Sequence, residues 1–260
     1  MEGPSATVAL VLAETVAGGA ALLWLGRLWG RVKRGFFVLT EAVVLGCALL
    51  STLAASASVE PGDDGARFGV LLLAACSVLL ALSLAALVLR IDGPALVSGS
   101  LAVPVAAGAL AAFATTSGSS FGPAVLQLAA GAAFMGAVTD GLLLGHWYLV
   151  DRRLAHDHIR RFAGLLIGAV ILEAAAVALL VLPASGGELA AGFNPLLGIS
   201  GLPAWLALGM VACTALIAFL IRATLKDARP RSVQAATGFF YLAVITAFTA
   251  ELAAKVGFSA

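Results

Sequence analysis

Residues 122–150 read GPAVLQLAAGAAFMGAVTDGLLLGHWYLV. Asp140 is the one charged residue in that stretch, and His146 follows six positions later. A helix rises 1.5 Å per residue, so about 20 apolar residues cross the ~30 Å hydrocarbon core of a bilayer. The run is long enough to span, and it carries an acid into a place where a carboxylate is expensive. Two questions follow from it: how many such runs the chain holds, and why some of them contain acids.

The composition answers in the same sense as the run. Of 260 residues 62% are hydrophobic and 11% are charged, against roughly 25% charged in soluble domains. A formal net charge of +1 offers no basic face for nucleic acid. Eight apolar runs are expected to span, at 5–26, 36–58, 68–89, 95–116, 122–150, 160–183, 203–222 and 233–254. The first has no basic segment ahead of it and reads as a spanning helix rather than a cleaved signal. The 29 glycines suit close helix packing through small faces.

The loops set the orientation. RLWGRVKRG at 27–35, RIDGP at 90–94, DRRLAHDHIRR at 151–161 and RATLKDARPRS at 222–232 hold nearly all the arginine and lysine. The alternate loops, EPGDDGAR at 60–67, TTSGSSFG at 115–122 and the stretch 184–202, are neutral or acidic. Basic loops stay on the cytoplasmic side, so both termini are expected outside. Trp24, Trp29 and Trp147 fall near the inner boundary and Trp205 near the outer, as in an aromatic belt. The expected fold is an all-α polytopic membrane protein of eight transmembrane helices. It forms a single integral domain over 1–260 in an alanine- and glycine-rich chain suited to a prokaryotic cytoplasmic membrane.

Two halves, 1–116 and 122–260, show a faint correspondence. Glu14, Trp24 and Arg27 in the first run match Asp140, Trp147 and Arg152 in the fifth, with 13 and 12 residues from acid to arginine. Each is followed by a basic loop and a run with its own acid, Glu41 or Glu173. Four spans per half would make such repeats parallel, giving a 4+4 arrangement.

The buried acids are the leading functional signal. Counted from the run ends, Glu41 lies toward the inner side, Asp140, Glu173 and Glu14 toward the middle, and Glu251 near the outer end, where it is expected to be peripheral. Asp140, Glu173 and Glu41 are the candidate acid–base residues, with Asp140 and Glu173 as a membrane-centre pair. Gly136, Gly141 and Gly145 make helix 5 slim beside Asp140, so a ligand, a file of water or another backbone can approach.

At the inner edge, His146, Trp147, Tyr148 and Arg152 combine an imidazole, two amphipathic aromatics and a cation. A quinone site calls for such groups, and a b-type haem calls for an axial imidazole and arginines for its propionates. Tyr241, in a polar stripe with Gln234 and Thr237, joins the candidate pocket, with Arg229 or Arg231 at its mouth. The competing reading has the aromatics anchoring the helix while His146 bonds a carbonyl. His156 and His158 are expected in a solvated loop, and Cys47, Cys76 and Cys213 as small apolar residues, with no metal ligand assigned.

Three functional readings stand. The first is a membrane subunit that handles a quinone or haem b while protons pass through the buried acids. It would work beside a redox partner subunit or in a homo-oligomer, within membrane lipid. The second is a proton-coupled or cation transporter, for which Pro104 is the clearest helix-breaking candidate. The third is a non-catalytic assembly subunit or a lipid-modifying enzyme.

Overall fold

The computed structural model describes residues 1, 3–30, 32–151, 154, 156–181, 201–226, 230–256 and 258. Eight helices account for almost all of them: α1 Gly3–Leu28, α2 Arg34–Ser56, α3 Asp64–Val88, α4 Asp92–Ala114, α5 Phe121–Val150, α6 Asp157–Val181, α7 Leu202–Thr224 and α8 Pro230–Lys255. All eight are long and apolar enough to cross a membrane. The protein is a multi-pass integral membrane protein built as an all-α bundle. Each helix matches one expected span, with ends displaced by four residues at most. The helix α4 runs through Pro104 without a break.

The helices alternate in direction. The α1–α2, α3–α4, α5–α6 and α7–α8 connections therefore gather at one end, here the basic end. There Arg34 bonds the Leu87 carbonyl at 3.3 Å and Asp92 at 2.6 Å. Lys33 pairs with Asp151 at 2.7 Å, and Arg160 donates to the carbonyls of Leu225 and Lys226. Both described termini lie at the opposite end. Met1 meets Asp63 at 3.1 Å, and Gly118 N–H donates to the Phe258 carbonyl.

In each half the four helices form a ring: α1–α2–α3–α4 with α4 closing on α1, and α5–α6–α7–α8 with α8 closing on α5. The rings join along α1 and α5, which run parallel. At that seam glycine is a steric requirement. A Cβ on Gly18 would stand 1.7 Å from the Ala132 carbonyl oxygen, and one on Gly136 would stand 2.4 Å from the Gly18 carbonyl carbon. Backbone meets backbone, which is how transmembrane helices gain attraction where the surrounding lipid is as apolar as leucine. Large apolar side chains such as Leu53, Leu71, Ile171, Phe219 and Ile245 are exposed on the outside of the bundle, a surface suited to hydrocarbon.

Of the three tryptophans expected near the inner boundary, Trp24 departs from the belt, and Trp29 and Trp147 are half-buried. Trp24 is buried, its indole laid over Gly99, where a Cβ would be 1.9 Å away. Trp147 covers Gly35 in the same way, and Trp29 packs edge-on against Phe162. A glycine opposite each of the first two indoles draws the ring inward, because filling that hollow buries more apolar surface than facing the interface. Trp205 is exposed near the start of α7, as expected.

Asp63 caps α3: its carboxylate accepts the Ala66 N–H at 2.8 Å and the Met1 ammonium at 3.1 Å. Partial burial pulls that carboxyl upward. The two donors and the Met1 charge outweigh burial and hold it below the usual carboxylate range.

Candidate functional site

A cluster of four ionisable side chains joins the first helix to the last. Lys255 Nζ lies 2.8 Å from Glu14 Oε1 and 2.9 Å from Glu251 Oε2. Glu173 completes the group from α6, within hydrogen-bonding reach of Glu251 and beside the Lys255 charge. Glu14, Glu173 and Glu251 are fully shielded from solvent, and Lys255 is 1% exposed.

Local sequence explains how four such groups meet. Glu251 and Lys255 are four residues apart on α8, so they share a helix face. Helical side chains lean toward the N-terminus, which carries the long lysine stem from the end of α8 back into the bundle. Glu14 sits midway along α1 because Gly131 on α5 leaves space for it; a Cβ there would be 2.4 Å from Glu14 Oε1. Gln127 on α5 donates to the Ala254 carbonyl at 3.3 Å and holds the end of α8 in place.

The charges do not balance. Three carboxylates face one ammonium, leaving two negative charges in excess when all are ionised. Removing an ion from water costs several kcal/mol even after relaxation. Glu14 Oε2 and Glu251 Oε1 have no hydrogen-bond donor among the described residues, and neither do the two Glu173 oxygens. Two carboxylates have no proton to share, so the Glu173–Glu251 contact becomes a hydrogen bond only when one carries a proton.

Two of the expected roles change here. Glu251, expected at the periphery, is at the hub, because α8 continues past residue 254 and its last turn packs inside. Glu173 has Glu251 and Lys255 as its charged neighbours, so the expected pairing with Asp140 does not form. Lys255 itself escaped the sequence reading, which ended the eighth span one residue short of it. The signal was an acid and a lysine at i, i+4 spacing at the end of an apolar run.

Asp140 is fully buried and alone. Neither of its oxygens has a hydrogen-bond partner among the described residues, nor has the neighbouring Thr139 hydroxyl. It faces the α1 seam, where a Cβ on Gly19 would lie 3.6 Å from Oδ1. The glycines around it admit protein: Gly136 takes the α1 backbone, Gly141 the Phe240 ring and Gly145 the Thr237 side chain.

Glu41 is also fully buried. Neither of its oxygens has a hydrogen-bond partner among the described residues, because the nearby Ser83 hydroxyl donates to the Ala95 carbonyl at 3.1 Å. Arg27 is the cation whose field reaches it.

Counted along the helices, Glu41 lies about 10 Å from the basic end of its helix, Asp140 about 15 Å, Glu14 about 21 Å and Glu173 about 24 Å. The acids therefore form a graded series toward the opposite side.

The residues expected to form a quinone or haem slot point in different directions. His146 is exposed on the outer surface of α5. Trp147 is committed to Gly35 on α2, and Tyr148 is buried, its ring stacked 6.0 Å from that of His156. Tyr241 is half exposed on α8. The contacts of Gly141 with Phe240 and Gly145 with Thr237 fix the α5–α8 register. Tyr241 falls beside Gly141, seven residues or about 10 Å along the axis from Tyr148, so the two tyrosines do not share a level. His158 stands in the first turn of α6 and is 4% exposed, buried where a solvated loop position was expected. Arg152, Arg229 and nearly all of the stretch 184–202 lie outside the described residues. Among those described, no group of three or more His, Cys, Asp or Glu side chains is arranged to hold a metal ion.

Comparison with family models, with curated proteins and with solved structures finds no match for this chain.

Proposed function

We propose that this chain is a membrane subunit that takes up protons and passes them through its buried acids. One observation carries the reading: Lys255, nearly fully buried, is shared between Glu14 and Glu251 at 2.8 and 2.9 Å, with Glu173 as a third acid beside them. A cluster with more acids than bases holds protons at equilibrium, and a lysine able to exchange partners offers a way to release them. Asp140 and Glu41 extend the series toward the basic end, where the Arg27 charge reaches Glu41. Chains of Asp, Glu and His are the usual chemistry of intramembrane proton relays.

The redox part of the reading has less support in the geometry. A quinone or b-type haem held by His146 would lie on the outside of the bundle, against lipid or a partner subunit, since the imidazole is exposed there. Transport coupled to proton uptake uses the same acids and is the competing arm of the test.

The test is a pH step applied to purified protein in proteoliposomes, followed by capacitive current and by the infrared carboxylic-acid band. Wild-type protein is expected to take up protons into buried carboxyls. Glu173→Gln is expected to remove part of both signals, and Asp140→Asn a separate part. If the wild type shows no buried carboxylic acid and no current, the acids serve packing alone and the proposal falls. Addition of a short-chain quinone then separates the redox arm from the transport arm.

A further inference from the structure

At the basic end, apart from the acid cluster, a cavity of about 170 Å³ is lined by Arg27, Arg34, Asp92, Phe37, Leu87 and the glycine-bearing end of α1. Its size is below the roughly 300–1,000 Å³ of sites for drug-sized ligands. It suits a compact group. We propose that this cavity binds a phosphate-bearing anion, either the headgroup of an anionic lipid or free phosphate. The inference is independent of the proton reading.

The two arginines have different commitments. Arg34 is occupied, donating to Asp92 at 2.6 Å and to the Leu87 carbonyl at 3.3 Å. Arg27 has no carboxylate within ion-pair distance among the described residues. Its guanidinium lies instead 4.9 Å from the centre of the Trp24 ring and 5.8 Å from that of Phe37. Stacking fixes the plane of a guanidinium and leaves its N–H fork free, the state in which arginine recognises phosphate.

Helix ends also converge on the cavity. α2 begins at Arg34 and α4 at Asp92, and neither has a side-chain cap, so their first N–H groups remain available as donors. The C-terminal ends of α1 and α3 lie nearby and oppose an anion, but their last carbonyls are partly used. Gly26 and Arg27 carbonyls accept from Trp29 and Gly30, and the Leu87 carbonyl from Arg34. With the helix dipoles opposed, side chains decide the sign. Two guanidiniums against one carboxylate, Asp92, leave the cavity positive. Gly26 and Gly30 keep its mouth free of bulky side chains.

The experiment follows the thermal melting of the delipidated protein in detergent during titration with inorganic phosphate and, separately, with phosphatidylglycerol. At least one probe is expected to raise the melting temperature of the wild type and of Arg161→Gln, a basic-end control. Arg27→Gln is expected to weaken the midpoint about tenfold or more, the loss of a charged hydrogen-bond donor. Asp92→Asn is expected to change it in the opposite direction. That variant removes a repelling carboxylate and frees Arg34, and because Asp92 is an exposed side chain folding is not at stake. A response to phosphate assigns a soluble anion; a response to the lipid alone assigns a headgroup. The proposal is overturned if neither probe shifts the wild type, if Arg27→Gln responds as the wild type does, or if Asp92→Asn leaves the midpoint unchanged.

Discussion

Lys255 Nζ lies 2.8 Å from Glu14 Oε1, so the final residue of the last helix is tied to the middle of the first. The pair links α8 to α1 and also sets the charge of the buried cluster they share with Glu173 and Glu251. Loss of the lysine would leave three acids with no cation beside them. Lys255→Met is therefore expected to destabilise the protein by about 3–5 kcal/mol, the usual cost of stranding a buried charge. The Glu14→Gln/Lys255→Met double variant should recover part of that loss. Denaturant unfolding in mixed micelles measures both. Equal stability of wild type and Lys255→Met would mean that the cluster is not organised by its lysine.

The seam between the rings tolerates no side chain. Gly18→Val and Gly136→Val are each expected to cost at least about 1–3 kcal/mol, because the obstructing atoms are backbone and cannot rotate away. Gly168→Ala is the control: a Cβ there meets nothing within 4 Å, and alanine is the better helix former. Retention of a monodisperse, helical species on heating reports the outcome. A seam variant as robust as Gly168→Ala would contradict the packing.

Asp140 separates folding from function. It has no partner to lose among the described residues, and an amide matches its shape. Asp140→Asn is expected to melt at or above the wild-type temperature, since an unpaired buried carboxyl is a liability. Its proton-uptake signal should nonetheless fall. A variant that melts well below wild type, with proton uptake intact, would assign Asp140 to structure alone.

Asp63 contributes to the acid end of the stability profile. Its carboxyl is held below the usual range in the folded protein, so its contribution is full above the unfolded value of about 3.9. That contribution fades as pH falls through the lower folded value. Asp63→Ala removes the α3 cap and should cost about 0.5–2 kcal/mol near neutrality. The difference from wild type should shrink in strong acid. A gap that widens on acidification would reverse the assigned sign.

The span pattern was legible because hydrocarbon imposes a one-dimensional rule. Any run of about 20 apolar residues must satisfy its backbone internally, as a helix. Eight spans and the grouping of basic loops at one end could be read from residues alone. The acids were legible as anomalies too: Glu14, Glu41, Asp140 and Glu173 are all buried. Their partners were not. A span boundary drawn by hydropathy ends where charge begins, so Lys255 fell outside the eighth span, 233–254, although α8 carries it inside. The edge around His146 illustrates the opposite error. Consecutive helical residues point about 100° apart, and proximity in sequence suggested a slot whose members face α2, α6 and the exterior.

The amino-acid sequence by itself determined that this protein lies in a membrane, crosses it eight times and carries acid into the interior, because each of those follows from local polarity and length. Tertiary structure alone decided which acids meet. That choice depends on how α1, α6 and α8 are rotated and staggered around the Gly18–Gly136 seam. Rotation and stagger come from side-chain volumes on neighbouring helices, information distributed across the chain and absent from any single span. The outcome places Glu14, Glu173, Glu251 and Lys255 together and leaves Asp140 apart.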